Sequence, residues 1–254
     1  MKKKTRIFGW AGVVLLVSLF LFFSGGCGKK TDQAKEHFEL GVKYFEKQKA
    51  KEALQEFKQA IQLDPEYADA HFQLGALFHT LRAYDSATAE YKEVLRINPN
   101  YPRIHTALAN VYYEIGLRAW GKAVKLDQLA YWEPDTLRQL PFKDRDELLG
   151  LIEGYQNKLK ADTVDAETIS KLSQANFLLA ADEYQKAIGA NSSDTTAQLY
   201  LGLTYSEQGY PAKAMAQHEI LKKLDPRAGE LLLTVLKQKE KEKEDLKKIR
   251  KEGI

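Results

Sequence analysis

Cysteine is almost missing from this chain of 254 residues, which has Cys27 alone. One cysteine cannot form an internal disulfide, and it cannot supply the paired thiolates of a structural zinc site. The fold must therefore be stabilised by packing of apolar side chains, even in an oxidising compartment.

Catalytic and cofactor-binding motifs are missing as well. The sequence has no phosphate-binding glycine loop, no nucleophile elbow, no His-Glu-x-x-His run and no paired metal-ligand cysteines. The acidic residues are scattered, so no two carboxylates are marked out as an acid and a base. We therefore predict that the protein is not an enzyme and binds no cofactor or metal.

An excess of charge of one sign is also lacking. The chain has 38 Lys and Arg against 35 Asp and Glu, a net charge of +3. A nucleic-acid-binding domain normally shows a strong basic excess on one face. The composition therefore predicts no nucleic-acid partner.

The first 26 residues differ from the rest. Basic residues at 2–4 and at 6 precede an apolar stretch from Ile7 to Phe23, and Ser24-Gly25-Gly26 leads to Cys27. This order is typical of a secretory signal. It resembles a bacterial lipoprotein signal peptide, which implies that residues 1–26 are removed and that Cys27 is lipidated. Ser24 departs from that family, which usually has an aliphatic residue there.

Two alternatives to lipidation stay open, namely cleavage by the ordinary signal peptidase and an uncleaved membrane helix. The lipoprotein resemblance implies a bacterial cell envelope location, outside the cytoplasm, with the lipid as membrane anchor. Gly28 follows the cysteine, which by the enterobacterial sorting rule favours the outer membrane and the periplasm; an inner-membrane location through the uncleaved helix is the alternative. The tether at 28–33 reaches roughly 20 Å.

A period of 34 residues organises the rest of the chain. Residues 34–67 and 68–101 align position by position, and residues 195–228 recover the phase. The matching positions hold a histidine, a leucine and a glycine, an aromatic, an alanine, a second aromatic and a proline: His37 and His71, Leu40 and Leu74, Gly41 and Gly75, Tyr44 and Phe78, Ala53 and Ala87, Phe57 and Tyr91, Pro65 and Pro99. Apolar residues recur at spacings of three and four, which is typical of helices, and each proline ends a second helix.

This pattern resembles the tetratricopeptide repeat family. The resemblance implies an all-α solenoid of antiparallel helix pairs, in which stacking of neighbouring pairs supplies the core. We expect repeats at 34–67, 68–101, 102–194 and 195–228, the third split by a helical insertion at about 117–171. Two degenerate repeats are the alternative for 102–194.

The insertion is rich in aromatic residues. It contains Trp120, Tyr131 and Trp132, followed by an amphipathic run from Leu148 to Tyr155. These side chains either pack the insertion onto the array or bind a partner. Residues 229–254 are expected to form a capping and charged helix, with Leu231, Leu232, Leu233 and Leu236 covering the last repeat.

In this family the first helix of each repeat lines a groove that binds peptides. The resemblance therefore implies these partner-binding residues: Lys35, Phe38, Val42, Phe45, Asp69, Phe72, His79, Arg103, Thr106, Asn110, Tyr113, Thr196, Leu199, Leu203 and Ser206. The alternative for Phe38 and Phe45 is packing against a neighbouring helix or the N-terminal segment. His37, His71 and His105 recur with the period, but packed helices lie about 8–10 Å apart and cannot bring all three to one ion. We expect these histidines to be structural.

The sequence as a whole predicts a membrane-anchored lipoprotein that acts as an adaptor or scaffold in cell-envelope assembly. Its partner would be an envelope protein or peptide segment bound in the groove. A self-associating structural lipoprotein, and an envelope enzyme with its chemistry in the insertion, are the alternatives. The oligomeric state is not predicted.

Overall fold

A computed structural model of the protein describes residues 30–126, 150 and 166–252, and all regular secondary structure in them is helical. Helix α1 comprises residues 30–46, followed by α2 (Ala50–Leu63), α3 (Ala68–Thr80), α4 (Tyr84–Ile97), α5 (Ile104–Leu126), α6 (Ala166–Ala190), α7 (Thr195–Glu207), α8 (Pro211–Leu224) and α9 (Pro226–Glu252). The predicted all-α class is confirmed. The chain divides into two compact units, Met1–Tyr101 and Pro102–Ile254.

Unit 1 is built on a close approach of paired helices. A Cβ added at Gly41 of α1 would lie 2.7 Å from the Phe57 ring of α2, and one added at Gly75 of α3 would lie 2.6 Å from the Tyr91 ring of α4. Both rings are buried. The period therefore places glycine where the partner helix brings an aromatic ring against the backbone.

The turn between the two helices of a repeat has the same form in three places. Gln48, Arg82 and Gly209 share one repeat position and adopt positive φ angles of 58°, 59° and 73°. The next amide in each turn donates to a carbonyl five residues earlier, for example Ala83 N to Phe78 O at 2.9 Å. Such a left-handed residue ends a helix most favourably when it is glycine.

After the first helix of the third expected repeat the corresponding turn does not occur. Gly116 stands at that repeat position, but α5 continues to Leu126. A Cβ on Gly116 would lie 2.7 Å from the Phe177 ring of α6, and Ser173 Oγ donates to the Gly116 carbonyl at 2.8 Å. Helices α5 and α6 thus form one long hairpin.

The hairpin has its own core beyond Gly116. Ala119 and Ala123 of α5 are buried, as are Ile169 and Leu172 of α6. Both ends of the predicted insertion are therefore helical where the structure describes them. Residues 127–149 and 151–165, with Tyr131, Trp132 and all but one residue of the amphipathic run, lie outside the described residues.

Helix α9 covers the end of unit 2. Asp225 Oδ1 accepts from the amides of Arg227 and Ala228 at 3.0 and 3.2 Å, so α9 begins directly after α8. Leu232 is fully buried, because it lies over Gly202 of α7. Leu231, expected to help cover the last repeat, is 54% exposed. Lys239 Nζ pairs with Glu207 Oε1 of α7 at 2.5 Å.

Candidate partner-binding faces

The unit 1 face comprises the predicted residues Lys35, Phe38, Val42, Phe45, Asp69, Phe72 and His79. Two of its aromatic rings pack on tyrosines that follow the second helices. The Phe38 and Tyr67 centroids are 5.1 Å apart, and the Phe72 and Tyr101 centroids are also 5.1 Å apart. All four side chains are half-buried. The face therefore carries two equivalent aromatic pairs, one per repeat.

Sequence reasoning missed the two tyrosines. A signal was present, because Tyr67 and Tyr101 are 34 residues apart and end the first two repeats. The same position in the third repeat holds Asp194, which accepts a hydrogen bond from Thr106. Thr106 holds the repeat position of Phe38 and Phe72. The contact between the two repeat positions thus recurs, but an aromatic contact in the first two repeats becomes a hydrogen bond in the third.

Carboxylates surround the aromatic pairs. The Tyr101 hydroxyl donates a hydrogen bond to Asp69 Oδ1 at 2.5 Å. Burial raises the pKa of Tyr101 most, and this hydrogen bond raises it further. Burial raises the pKa of Tyr67 too, and the charges of Asp69, Glu39 and Asp64 raise it further. Both hydroxyls stay protonated at neutral pH and can donate hydrogen bonds.

The other residues of the unit 1 face vary in exposure. Lys35 is exposed, whereas Val42 and Phe45 are half-buried and pack against the cluster formed by Ala53, Phe57, Leu74 and Leu77. The His79 ring lies 5.8 Å from the Tyr84 ring. Phe38 and Phe45 both pack against this cluster, so neighbouring helices cover part of the surface of each side chain and leave the rest accessible.

In unit 2 the predicted residues of α5 are largely engaged inside the fold. Tyr113 is only 6% exposed, with its ring 5.7 Å from Phe177 and 5.6 Å from Tyr200, and burial raises its pKa. Thr106 is buried and donates to Asp194 Oδ2 at 3.0 Å. A partner cannot reach a side chain that is fully packed, so the structure assigns Tyr113 and Thr106 a packing role.

Asn110 is also engaged, because its Oδ1 accepts from the Tyr184 hydroxyl at 2.7 Å. The remaining predicted residues of unit 2 keep some accessible surface: Arg103 and Thr196 are exposed, and Leu199, Leu203 and Ser206 are half-buried. Arg103 has a positive φ of 62°. The accessible part of this face is therefore smaller than the sequence predicted.

The periodic histidines pair with glutamates of the second helices. Nδ1 of His37 lies 2.6 Å from Glu56, that of His71 lies 2.7 Å from Glu90, and that of His105 lies 2.6 Å from Glu183. The first two pairs are 19 residues apart in sequence and the third is 78 apart. The third contact thus joins α5 to α6 as the first two join the paired helices of unit 1. No cluster of three metal-binding side chains exists in the part of the chain that the structure describes.

The predicted lipidation residue, Cys27, lies outside the described residues. Within residues 30–126 and 166–252, none of the helices combines the length and the apolar character that crossing a bilayer requires.

Comparison with solved structures gives remote likenesses. The crystal structure of MamA protein is 16% identical, with a TM-score of 0.37, 78% of this chain covered and 95% of that one. TTC0263, a TPR protein of Thermus thermophilus, is 19% identical, with a TM-score of 0.38 and coverages of 81% and 97%. PilF of Pseudomonas aeruginosa is 16% identical, with a TM-score of 0.35 and coverages of 84% and 88%.

No curated protein matches the chain. A family model described as TPR repeat matches residues 41–81 and 83–116. These ranges include the paired glycines and aromatics of unit 1 and reach Gly116 of α5. Residues 41–81 and 83–116 are therefore similar to tetratricopeptide repeats.

Proposed function

We propose that this chain is a membrane-anchored adaptor of the bacterial cell envelope that holds a partner protein by an extended peptide segment on its unit 1 face. The observation that carries the proposal is the recurrence of the half-buried aromatic pairs Phe38 with Tyr67 and Phe72 with Tyr101. Half-buried aromatic side chains combine a fixed position with accessible apolar surface, as binding anchors require.

The polar groups beside the rings suit a peptide partner. Tyr101 and Asp69 form a hydrogen-bonded pair at the edge of the face, and Lys35 is exposed on α1. A face that mixes apolar area with a few fixed polar groups binds an extended segment through contacts to side chains and backbone. The mechanism is therefore recognition by a preformed surface and not catalysis.

The lipid on Cys27 would determine where this recognition takes place. Residues 28–33 separate the cysteine from the first repeat, so the repeats would lie close to the membrane. One acyl chain binds a bilayer only marginally, whereas two or more give stable anchoring. Labelled palmitate should be incorporated by the full chain and not by Cys27→Ser. If neither protein is labelled, the chain has no lipid anchor and this part of the proposal is wrong.

Capture of partners from the cells that make the protein tests the binding face. The full chain is compared with Phe38→Ala/Phe72→Ala, which removes one ring from each aromatic pair. The matched control is Gln55→Arg/Ala89→Arg, whose exposed positions on α2 and α4 are also one repeat apart. Both variants are first checked for helical content and thermal unfolding.

Specific partners retained by the control and lost by the aromatic variant are the expected result. Equal capture by all three proteins would show that the unit 1 face is not the interface. Capture of the chain's own copies alone, unaffected by either variant, would favour the self-associating alternative.

A further inference from the structure

His71 lies between two hydrogen-bond acceptors. Its Nδ1 is 2.7 Å from Glu90 Oε2, and its Nε2 is 3.1 Å from the carbonyl oxygen of Pro65. A neutral imidazole carries one N–H and can donate to only one of them, whereas the imidazolium donates to both. The side chain is 9% exposed, so water has little access to replace a lost partner. With Glu90 ionised, both contacts are hydrogen bonds only when the ring carries two protons.

The surrounding groups favour the charged ring. Glu90 and Glu93 of α4 are the charged residues that act on it, and Arg96 pairs with Glu93 at 2.7 Å and with Glu66 at 2.8 Å. Helix α2 meets α3 through apolar side chains such as Phe57. The hydrogen bond to Glu90 raises the pKa of His71, and burial opposes this only in part.

The last expected repeat, residues 195–228 (repeat 4), makes the contact to the loop carbonyl without a titratable group. Gln198 occupies the position of His71, and its Nε2 donates to the carbonyl of Ser192 at 3.4 Å. Ser192 precedes Gln198 by six residues, just as Pro65 precedes His71 by six. Gln217 occupies the position of Glu90. An amide nitrogen is a donor at every pH, so this contact does not depend on protonation.

We propose that His71 is a proton-dependent clamp, which in its doubly protonated form ties the Pro65 carbonyl of the loop at 64–67 to helix α4 and releases that carbonyl when it loses a proton, so that the exposed Arg96–Glu66 ion pair alone still joins the loop to α4. The remaining proton is held best on Nδ1, which faces the charged Glu90 carboxylate, so Nε2 and the Pro65 oxygen become two facing acceptors without a hydrogen bond. The loop contains Tyr67, which packs on Phe38 of the unit 1 face. The clamp itself does not depend on the proposed adaptor function.

The protonation state can be measured by NMR on the full chain in detergent, with its five histidines labelled with nitrogen-15. The spectrum of His71→Gln assigns the signals of His71. At pH 6.5, where an unperturbed imidazole is about half protonated, both nitrogens of His71 should be protonated in most molecules. A ring that is half neutral or more at this pH would overturn the proposal.

Amide hydrogen exchange tests the release of the loop. The amide of Tyr67 donates to Asp64 O at 3.1 Å, and the equivalent amide of Asp194 donates to Asn191 O at 3.1 Å. After correction for intrinsic exchange, protection at Tyr67 should fall severalfold between pH 6 and pH 8.5, while protection at Asp194 stays constant. Equal behaviour of the two amides would contradict the clamp.

A variant that copies the residues of repeat 4 completes the test. In His71→Gln/Glu90→Gln the amide replaces the imidazolium, so Tyr67 protection should become independent of pH. Should this variant fail to fold, the comparison of Tyr67 with Asp194 in the natural chain still decides. A variant that folds and keeps the pH dependence of Tyr67 would assign it to another group and refute the proposal.

Discussion

The Tyr91 ring lies where a side chain on residue 75 would have to be, 2.6 Å from a Cβ built on Gly75. The ring is buried in unit 1 and cannot turn into solvent. We therefore expect Gly75→Ala to destabilise the chain by about 1–3 kcal/mol, the usual cost of forcing atoms into a packed site.

Gly121 provides the matched control, because it lies within α5, five residues before its last residue, and a Cβ there would meet nothing within 4 Å. Gly121→Ala should stabilise the chain by about 0.5–1 kcal/mol, since alanine is the better helix former. Equilibrium urea unfolding measures both variants. Equal effects of the two substitutions would contradict the packing account.

Arg82→Gly should stabilise unit 1. Arg82 holds a left-handed backbone with φ of 59° at the end of α3, at the position that Gly209 occupies in repeat 4. For a non-glycine residue this conformation lowers the free energy of unfolding by about 1 kcal/mol or more. Thermal unfolding should show the gain for Arg82→Gly and a loss for Gly209→Ala; a loss in both would mean that the Arg82 side chain makes contacts worth more than the strain.

Leu232 and Leu231 should respond very differently to truncation. Leu232 is fully buried over Gly202, and its neighbour is 54% exposed. Leu232→Ala should cost about 2–5 kcal/mol and increase amide exchange in α9, while Leu231→Ala should cost less than about 0.5 kcal/mol. If truncation of Leu231 is the more damaging, α9 does not cap unit 2 as described.

Tyr91 should make the stability of the chain sensitive to alkaline pH. Burial raises its pKa from 10.0 to about 12, so the folded chain holds this proton more tightly than the unfolded chain. The stabilisation is present below pH 10 and is lost as the pH rises towards 12. Tyr91→Phe, which repeats the residue found at Phe57, should reduce this loss while changing stability at pH 8 by less than about 1 kcal/mol. Urea unfolding at pH 8 and pH 11 measures the difference, and an unchanged alkaline loss would exclude Tyr91 as its source.

The fold was predictable because its determinants are local and repeated. Glycines such as Gly41 and Gly75, the aromatics they face and the prolines that end helices recur every 34 residues. The repeat pattern alone does not predict the structure at Gly116. This glycine holds the position of a turn but lies inside α5 against Phe177. That outcome depends on α6, whose partner residues come after the insertion.

The candidate faces were predictable only in part, for the same reason. Phe38 and Phe72 lie where the repeat pattern places them, half-buried beside Tyr67 and Tyr101. Tyr113 holds an equivalent position to Phe45 and His79, but Phe177 and Tyr200 bury it. Repeat position predicts the direction of a side chain, whereas its exposure depends on distant segments that the pattern does not specify.

Site-specific photocrosslinking in living cells can show whether a partner protein is bound on the unit 1 face. A photoreactive amino acid replaces exposed Lys35 of α1 in one protein and exposed Gln55 of α2 in another. Binding on the unit 1 face should give a discrete crosslinked partner from residue 35 and none from residue 55. Crosslinks from residue 55 alone, or none from either residue in cells where the anchored protein is abundant, would contradict it.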